Sequence, residues 1–199
     1  MHVCFIGDSL TLGTHDPEFR GWPGRLAQMS ADAAKASGKE LNVYNLGIRG
    51  NRTNDILERW PTEAARRLPE DQDRRLVFSF GGADASRPEG YPRVDPDTSM
   101  ANAHLILKAA REACPVLWVG PTPMLRPERN AGVSELNKGY AVIAARLDIP
   151  YLDVFSPLSA SREYLDDLAA GDGVHPGARG YGLIAALVAE WEPWRAWLR

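Results

Sequence analysis

The sequence is poor in cysteine and histidine and has no long apolar run. Its only cysteines, Cys4 and Cys114, lie in or beside predicted strands, and nothing near them has metal-ligand spacing. We therefore interpret both as reduced thiols of the core, with a disulfide or a catalytic cysteine as the alternatives. No segment approaches the roughly 20 apolar residues that a membrane-spanning helix needs. The composition thus excludes a membrane span and indicates no bound metal.

The chain also lacks an excess of basic charge. It has 23 Lys and Arg against 26 Asp and Glu, a net charge of −3. A nucleic-acid partner favours a basic face, so this balance argues against one. No basic start followed by an apolar run of signal-peptide length is present, which predicts a cytoplasmic protein. A mature form trimmed of its signal would have the same appearance.

Short apolar runs alternate with longer stretches of helical periodicity. Continuous runs bounded by Gly and Pro predict strands that are buried on both faces, and five are present, at 2–6, 41–45, 76–80, 116–120 and 151–155. The last helix is predicted for residues 178–190. Repeated strand–helix alternation implies an α/β fold, a parallel sheet covered by helices on both faces. Because no linker or internal repeat interrupts the pattern, we expect one domain over residues 1–199.

The helical stretches carry local signals of their own. Pro61 is expected to kink or restart its helix. Asp97 or Thr98 is expected to cap the helix that follows the third strand. Leu105 is expected on the side of this helix that faces the core. Ser134 is expected to cap the next helix.

Residues suited to nucleophilic acyl transfer lie in the segments that leave the strands. Ligands of open parallel sheets bind outside the carboxyl ends of the strands, and Gly7-Asp8-Ser9-Leu10 directly follows the first one. A serine nucleophile needs a base within hydrogen-bond reach and a carboxylate that orients the base. His175 and Asp172 lie in a Gly/Pro-rich loop before the last helix. We predict Ser9 as the nucleophile, His175 as the base and Asp172 as the acid.

Other residues could take these roles. His15 is the alternative base because it follows the Ser9 loop, whereas His2 precedes the first strand and His104 lies in a predicted helix. The acidic rivals of Asp172, which we interpret as solvated charges or helix caps, are Asp153, Asp166 and Asp167.

Acyl transfer also needs hydrogen-bond donors directed at the developing oxyanion. The backbone N–H of Ser9 is one candidate. Gly47, after the second strand, is another, because a glycine lets the backbone approach a substrate closely. Alternatively, a glycine is present at position 47 only because the backbone geometry of the loop requires one.

These segments resemble the sequence blocks of the SGNH (GDSL) hydrolase superfamily, in the same order and over nearly the whole chain. Residues 7–10 resemble the block that carries the nucleophile. Residues 45–50 resemble the second block, whose glycine donates a hydrogen bond to the oxyanion. Residues 172–176 resemble the last block, in which the acid and the base are three residues apart. Residues 121–123 resemble a proline-rich turn of the family. The resemblance implies a flavodoxin-like three-layer α/β/α sandwich with a five-stranded parallel sheet. It also implies hydrolysis of esters or thioesters through an acyl-serine intermediate, without a metal or cofactor.

The third block departs from the family's pattern. It usually reads Gly-x-Asn-Asp, and its asparagine is a third oxyanion donor; here the stretch 81–84 has Ala83 at that position. Loss of one such donor typically costs about 10²–10³ in turnover. The chain could be a weaker hydrolase, or one in which alanine was introduced into an active parent. It could also use another donor, for which the candidates in crevice-side segments are Asn51, Asn54 and Asn130.

The same segments suggest which substrate is bound. Asp8 and Asp84, in the first and third blocks, are expected to take part in substrate binding. Four arginines after the third and fourth strands could favour anionic esters, with solubilising surface charge as the alternative: Arg87, Arg93, Arg126 and Arg129. Because the chain is short and has no long insertion to act as a lid, small soluble esters are favoured over bulk lipid.

Two rival functions use the same fold. An acyltransferase would use the same triad with an alcohol acceptor, and a non-catalytic module would bind an acylated or carbohydrate ligand.

The aromatic segment 191–198 could pack back onto the domain or form a homo-oligomer interface, since aromatic residues are enriched at interface hot spots.

Overall fold

The computed structural model describes residues 1–86 and 92–199. A five-stranded sheet forms its centre, with every pair of neighbouring strands parallel and with the strand order β2-β1-β3-β4-β5, as in flavodoxin. The strands are β1 (His2–Gly7), β2 (Asn42–Gly47), β3 (Arg74–Ser79), β4 (Val116–Val119) and β5 (Tyr151–Leu152). All five predicted strands are confirmed. The fifth is shorter than predicted because a helix begins at Phe155.

Helices connect the strands and cover both faces of the sheet. Those of the described residues are α1 (Ser9–Leu12), α2 (Gly21–Ala36), α3 (Thr53–Ala65), α4 (Pro96–Ala113), α5 (Pro127–Arg146), α6 (Phe155–Ala160), α7 (Arg162–Ala169), α8 (Ala178–Glu190) and α9 (Glu192–Leu198). The prediction for residues 178–190 is confirmed.

Two hydrophobic cores lie on opposite faces of the sheet, because successive side chains of a strand point to opposite sides. On one face, Ile6 and Phe78 pack against the buried sides of α3, α4 and α5. On the other, Phe5 and Val77 pack against α2, α7, α8 and α9, with Trp22 among them. This arrangement confirms the predicted three-layer α/β/α sandwich.

The helix boundaries correct several local predictions. α3 does not restart at Pro61 but continues through it, and a kink there stays a prediction; Pro61 is exposed, so that solvent can hydrate the carbonyl group left without a partner. Asp95 caps α4 by accepting hydrogen bonds from the backbone of residues 97 and 98, and Pro96 suits the first helical position. Leu105 is 52% exposed, because Ile106 and Leu107 occupy the core side. α5 begins at Pro127, seven residues before Ser134.

The aromatic C-terminal segment packs back onto the chain as α9. Trp194 is fully buried, and its indole N–H donates to Ser30 Oγ over 3.0 Å. The carbonyl of Trp197 accepts a hydrogen bond from Lys39 Nζ at 2.7 Å. A homo-oligomer formed through this segment stays a prediction.

Both cysteines are free, and burial raises the pKa of Cys4 to about 12 and that of Cys114 to about 11. A thiol of so high a pKa is a poor nucleophile at neutral pH. Within the described ranges, no helix combines the length and the apolar composition needed to cross a membrane.

Candidate active site

Three side chains from opposite ends of the sequence meet at the carboxyl edge of the sheet. Ser9 is the first residue of α1, and Asp8 caps that helix by accepting the Leu10 N–H at 2.9 Å. His175 Nε2 lies 2.8 Å from Ser9 Oγ, and His175 Nδ1 lies 2.8 Å from Asp172 Oδ2. The structure thus brings together the three residues predicted as nucleophile, base and acid.

A tight turn before α8 orients Asp172. Its Oδ1 accepts the backbone N–H groups of Val174 and His175, each at 2.9 Å, which leaves Oδ2 for the imidazole. Gly173 supports this turn with a φ of 76°, which glycine adopts without strain. Its carbonyl accepts the N–H of Leu125 at 2.9 Å, which ties the turn to the segment after β4.

The electrostatics of the site favour a neutral imidazole beside a charged carboxylate. Burial lowers the pKa of His175, and the nearby cation of Arg49 lowers it further, against the opposing effect of Asp172. Partial burial would raise the pKa of Asp172, but hydrogen bonds from the His175 backbone and ring outweigh it and lower the pKa to about 2. Neutral His175 can donate from Nδ1 to Asp172 and accept the Ser9 hydroxyl proton at Nε2.

His15 lies beside this triad rather than within it. Its Nδ1 is 3.7 Å from Asp172 Oδ2, and its ring centroid is 5.2 Å from that of His175. The ligand atoms of these three residues lie within 4.8 Å of one another. A cation bound there would replace the hydrogen bond between Asp172 and His175, so the cluster suits a triad better than a metal site. His104 is exposed on α4, and His2 lies near Tyr44 at the opposite edge of the sheet.

The geometry favours a packing role for Gly47 over the predicted role as an oxyanion donor, which stays a prediction. Its N–H donates to Asn45 Oδ1 at 3.0 Å, and Gly47 does not line the cavity in front of Ser9. A Cβ at Gly47 would lie 2.1 Å from the backbone N of Leu12. Gly47 is therefore required for the close packing of β2 against α1.

Gly50 is a second candidate for the oxyanion donor. It lines the cavity together with Ser9, and it has a φ of 79°. Neither the Gly50 N–H nor the Ser9 N–H has a hydrogen-bond partner among residues 1–86 and 92–199. The sequence analysis did not name Gly50, because which backbone N–H faces the cavity depends on the fold.

Ala83 also lines the cavity, and the asparagines suggested as replacements do not. Their side-chain carbonyl groups bind elsewhere. That of Asn51 accepts a hydrogen bond from Arg59, that of Asn54 from Asn102, and that of Asn130 from the backbone N–H of Met124. The position opposite Ser9 thus has no asparagine within the part of the chain that the structure describes.

The two aspartates of these blocks lie at different depths. Asp8 lines the cavity, and burial, with a smaller contribution from the charge of Asp84, raises its pKa to about 6. Asp84 is fully buried beneath the cavity, where its carboxylate accepts hydrogen bonds from Thr53 and Ser99. Burial raises its pKa as well. This position corrects the prediction that Asp84 contacts substrate: it connects the loop after β3 to α3 and α4.

The cavity in front of Ser9 has a volume of about 170 Å³. Its apolar wall includes Leu10, Met124 and Val174, and its basic residues are Arg49, Arg93 and Arg129. Arg93 and Arg129 are two of the four arginines that were expected to favour anionic esters, and Arg49 was not among them. Arg126 is exposed and does not line the cavity, and Arg87 lies outside the described residues.

Known proteins share this fold. A lipase/acylhydrolase from Enterococcus faecalis superposes with a TM-score of 0.74 and 27% identity, over 95% of this chain and 94% of that one. A G-D-S-L family protein from Veillonella parvula gives a TM-score of 0.76 with 24% identity over 96% and 97%. Axe2, an acetylxylan esterase from Geobacillus stearothermophilus, gives 0.77 with 19% identity over 96% and 94%. The last two show a likeness of fold alone.

A curated relative matches only in part. The uncharacterized protein YpmR of Bacillus subtilis (strain 168) is 32% identical over 82 residues, which are 41% of this chain and 31% of that protein. The chain thus spans about a third of the length of this relative. By contrast, the sequence model of the GDSL-like lipase/acylhydrolase family matches residues 5–183. The chain therefore belongs to the GDSL-like lipase/acylhydrolase family.

Proposed function

We propose that the chain is a serine esterase that cleaves small acyl esters or thioesters through an acyl-serine intermediate. The observation that carries this proposal is the continuous chain of contacts from Asp172 through His175 to Ser9, two hydrogen bonds of 2.8 Å each, at the floor of a cavity.

The first half of the reaction forms the acyl-enzyme. Ser9 Oγ attacks the acyl carbon while His175 Nε2 takes the hydroxyl proton, and Asp172 stabilises the resulting imidazolium. The N–H groups of Ser9 and Gly50 donate to the oxyanion of the tetrahedral intermediate. The bond to the leaving alcohol or thiol then breaks, and His175 returns the proton to it.

The second half releases the acid. His175 takes a proton from a water molecule, which attacks the acyl carbon, and the tetrahedral intermediate collapses with return of the proton to Ser9. The cavity of about 170 Å³ admits a short acyl chain more readily than a long one. We therefore expect acetyl and butyryl esters to react faster than esters of long fatty acids.

The test compares hydrolysis of p-nitrophenyl acetate by the wild type and by Ser9→Ala. Ser37→Ala, an exposed serine at the end of α2, serves as the matched control. We expect loss of activity in Ser9→Ala alone, and a fluorophosphonate label that mass spectrometry locates on Ser9 and not on Ser37.

Other outcomes would favour the rivals. Equal rates for Ser9→Ala and the wild type would refute the serine mechanism and favour a non-catalytic binding module. Acylated alcohol as the main product, when an alcohol is added to the assay, would identify an acyltransferase.

A further inference from the structure

Three arginines from separate segments converge on the cavity in front of Ser9. Arg49 lies between β2 and α3, Arg93 precedes α4, and Arg129 is in the first turn of α5. Arg129 is partly buried, whereas the other two are exposed. The chain as a whole has a net charge of −3, so this basic wall is not a consequence of overall composition.

These arginines differ from most others in the protein. In the part of the chain that the structure describes, no salt bridge joins Arg49, Arg93 or Arg129 to a carboxylate, and Arg93 donates to the Gly50 carbonyl at 3.2 Å. Several arginines elsewhere pair with acidic neighbours: Arg25 with Asp16, Arg52 with Asp55, Arg59 with Glu63, Arg75 with Asp73 and Arg199 with Glu192.

Neither acidic residue of the cavity, Asp8 or Asp172, forms a salt bridge with these arginines in the described ranges. Both oxygens of Asp172 are occupied by the His175 turn and ring. Asp8 is 2% exposed, and its Oδ1 accepts the Leu10 N–H. A guanidinium group that faces a cavity without a carboxylate partner can bind a carboxylate or phosphate with two parallel hydrogen bonds.

We infer that the preferred substrate is an anionic ester, one that carries a carboxylate or phosphate group in addition to the ester bond, and that Arg129 and Arg93 bind that group. This inference rests on the proposed serine esterase function. Arg93 contacts Gly50, so the bound anion would lie next to the turn that supplies the oxyanion donor.

The experiment measures kcat/KM on esters that differ only in charge. The compounds 4-acetoxybenzoate and 4-acetoxyphenyl phosphate carry the charge on the leaving group, with 4-acetoxybenzamide as the neutral match. The half ester p-nitrophenyl adipate carries it on the acyl group, with p-nitrophenyl hexanoate as the match. We expect at least a tenfold preference for one anionic compound over its neutral match, mainly through KM. The preference should shrink with added salt, because salt screens exposed charges.

Variants assign the preference to residues. Arg129→Gln and Arg93→Gln should each lower the preference about tenfold, whereas Arg126→Gln, the neighbouring exposed arginine outside the cavity, should leave it unchanged. Equal losses on the charged and neutral esters would overturn the inference, because the arginines would then act on the reacting centre or on folding.

A binding measurement separates this inference from the proposed function. In Ser9→Ala, 4-hydroxybenzoate should raise the thermal unfolding temperature more than 4-hydroxybenzamide does, and Arg129→Gln should remove the difference. If Ser9-dependent hydrolysis shows no anionic preference, the inference alone fails. If hydrolysis does not depend on Ser9, the proposed function fails, and the binding measurement still decides whether the cavity selects anions.

Discussion

His175 Nε2 lies 2.8 Å from Ser9 Oγ, although 166 residues separate the two in the chain. The contact forms because the loop after β1 and the turn before α8 open at the same edge of the sheet. Both side chains are largely buried, with 8% of each residue exposed. The reacting groups are thus held in contact before substrate arrives, and orientation of this kind can supply a large part of catalysis.

Ala83→Asn should raise turnover. An amide at this position of the cavity wall would add a donor where the family usually has one, and such a donor is typically worth about 10²–10³ in kcat. The measurement is kcat on p-nitrophenyl acetate, with thermal unfolding to verify the fold. Ala83→Leu, similar in shape to asparagine but without a donor, is the control. An unchanged kcat in a folded Ala83→Asn protein would mean that other groups already complete the oxyanion hole.

The pH dependence of kcat/KM should show an acid limb with its midpoint below 6.5. His175 must be neutral to accept the serine proton, and burial holds its pKa below the ordinary value of 6.5. Activity is therefore lost only as the pH falls through this lowered pKa. Arg49→Gln removes a cation that lowers the pKa of His175, so the acid-limb midpoint of this variant should move upward. The midpoint of Arg126→Gln should stay at the wild-type value. A wild-type midpoint above 6.5 would contradict the described environment of His175.

Gly47→Ala and Gly50→Ala should fail in different ways. A Cβ at Gly47 would lie 2.1 Å from Leu12 N, so we expect a poorly folded protein. A Cβ at Gly50 would meet only Arg93 Nη1, at 3.8 Å, and the φ of 79° should cost about 1–2 kcal/mol. Gly50→Ala should therefore fold but lose turnover as its N–H moves. Circular dichroism measures folding and kcat measures turnover. Full activity of Gly50→Ala would exclude the Gly50 N–H as an oxyanion donor.

Asp8→Asn should stabilise the protein at neutral pH. Burial raises the pKa of Asp8 from 3.8 to about 6, so ionisation opposes folding as the pH rises from about 4 to about 6. The cost at pH 7 is about 3 kcal/mol, and asparagine would avoid it while still accepting the Leu10 N–H; loss of the hydrogen bond that Asp8 accepts from the Ala83 N–H would offset part of the gain. The unfolding free energy of the variant should exceed that of the wild type at pH 7 and match it at pH 4. Parallel pH curves for the two proteins would refute this account.

Much of the fold and of the candidate site could be predicted from local patterns. The five strands follow from continuous apolar runs, and α8 (Ala178–Glu190) follows from periodicity, because both signals repeat within a few residues. Helix starts were less predictable. Asp95, Asp97 and Thr98 can all cap a helix, and the proline at position 96 favours the first of them.

The sequence alone predicted Ser9, Asp172 and His175 as the triad, with His15 as the alternative base and three other aspartates as alternative acids. The two contacts of 2.8 Å within the triad required the fold. The proposal of Gly50 in place of Gly47 depends on the tertiary structure, since it rests on which amide is already bonded and which residue lines the cavity. The convergence of Arg49, Arg93 and Arg129 was decided in the same way. Chemistry and periodicity are local properties of a sequence, whereas the direction of a loop is set by what packs against it.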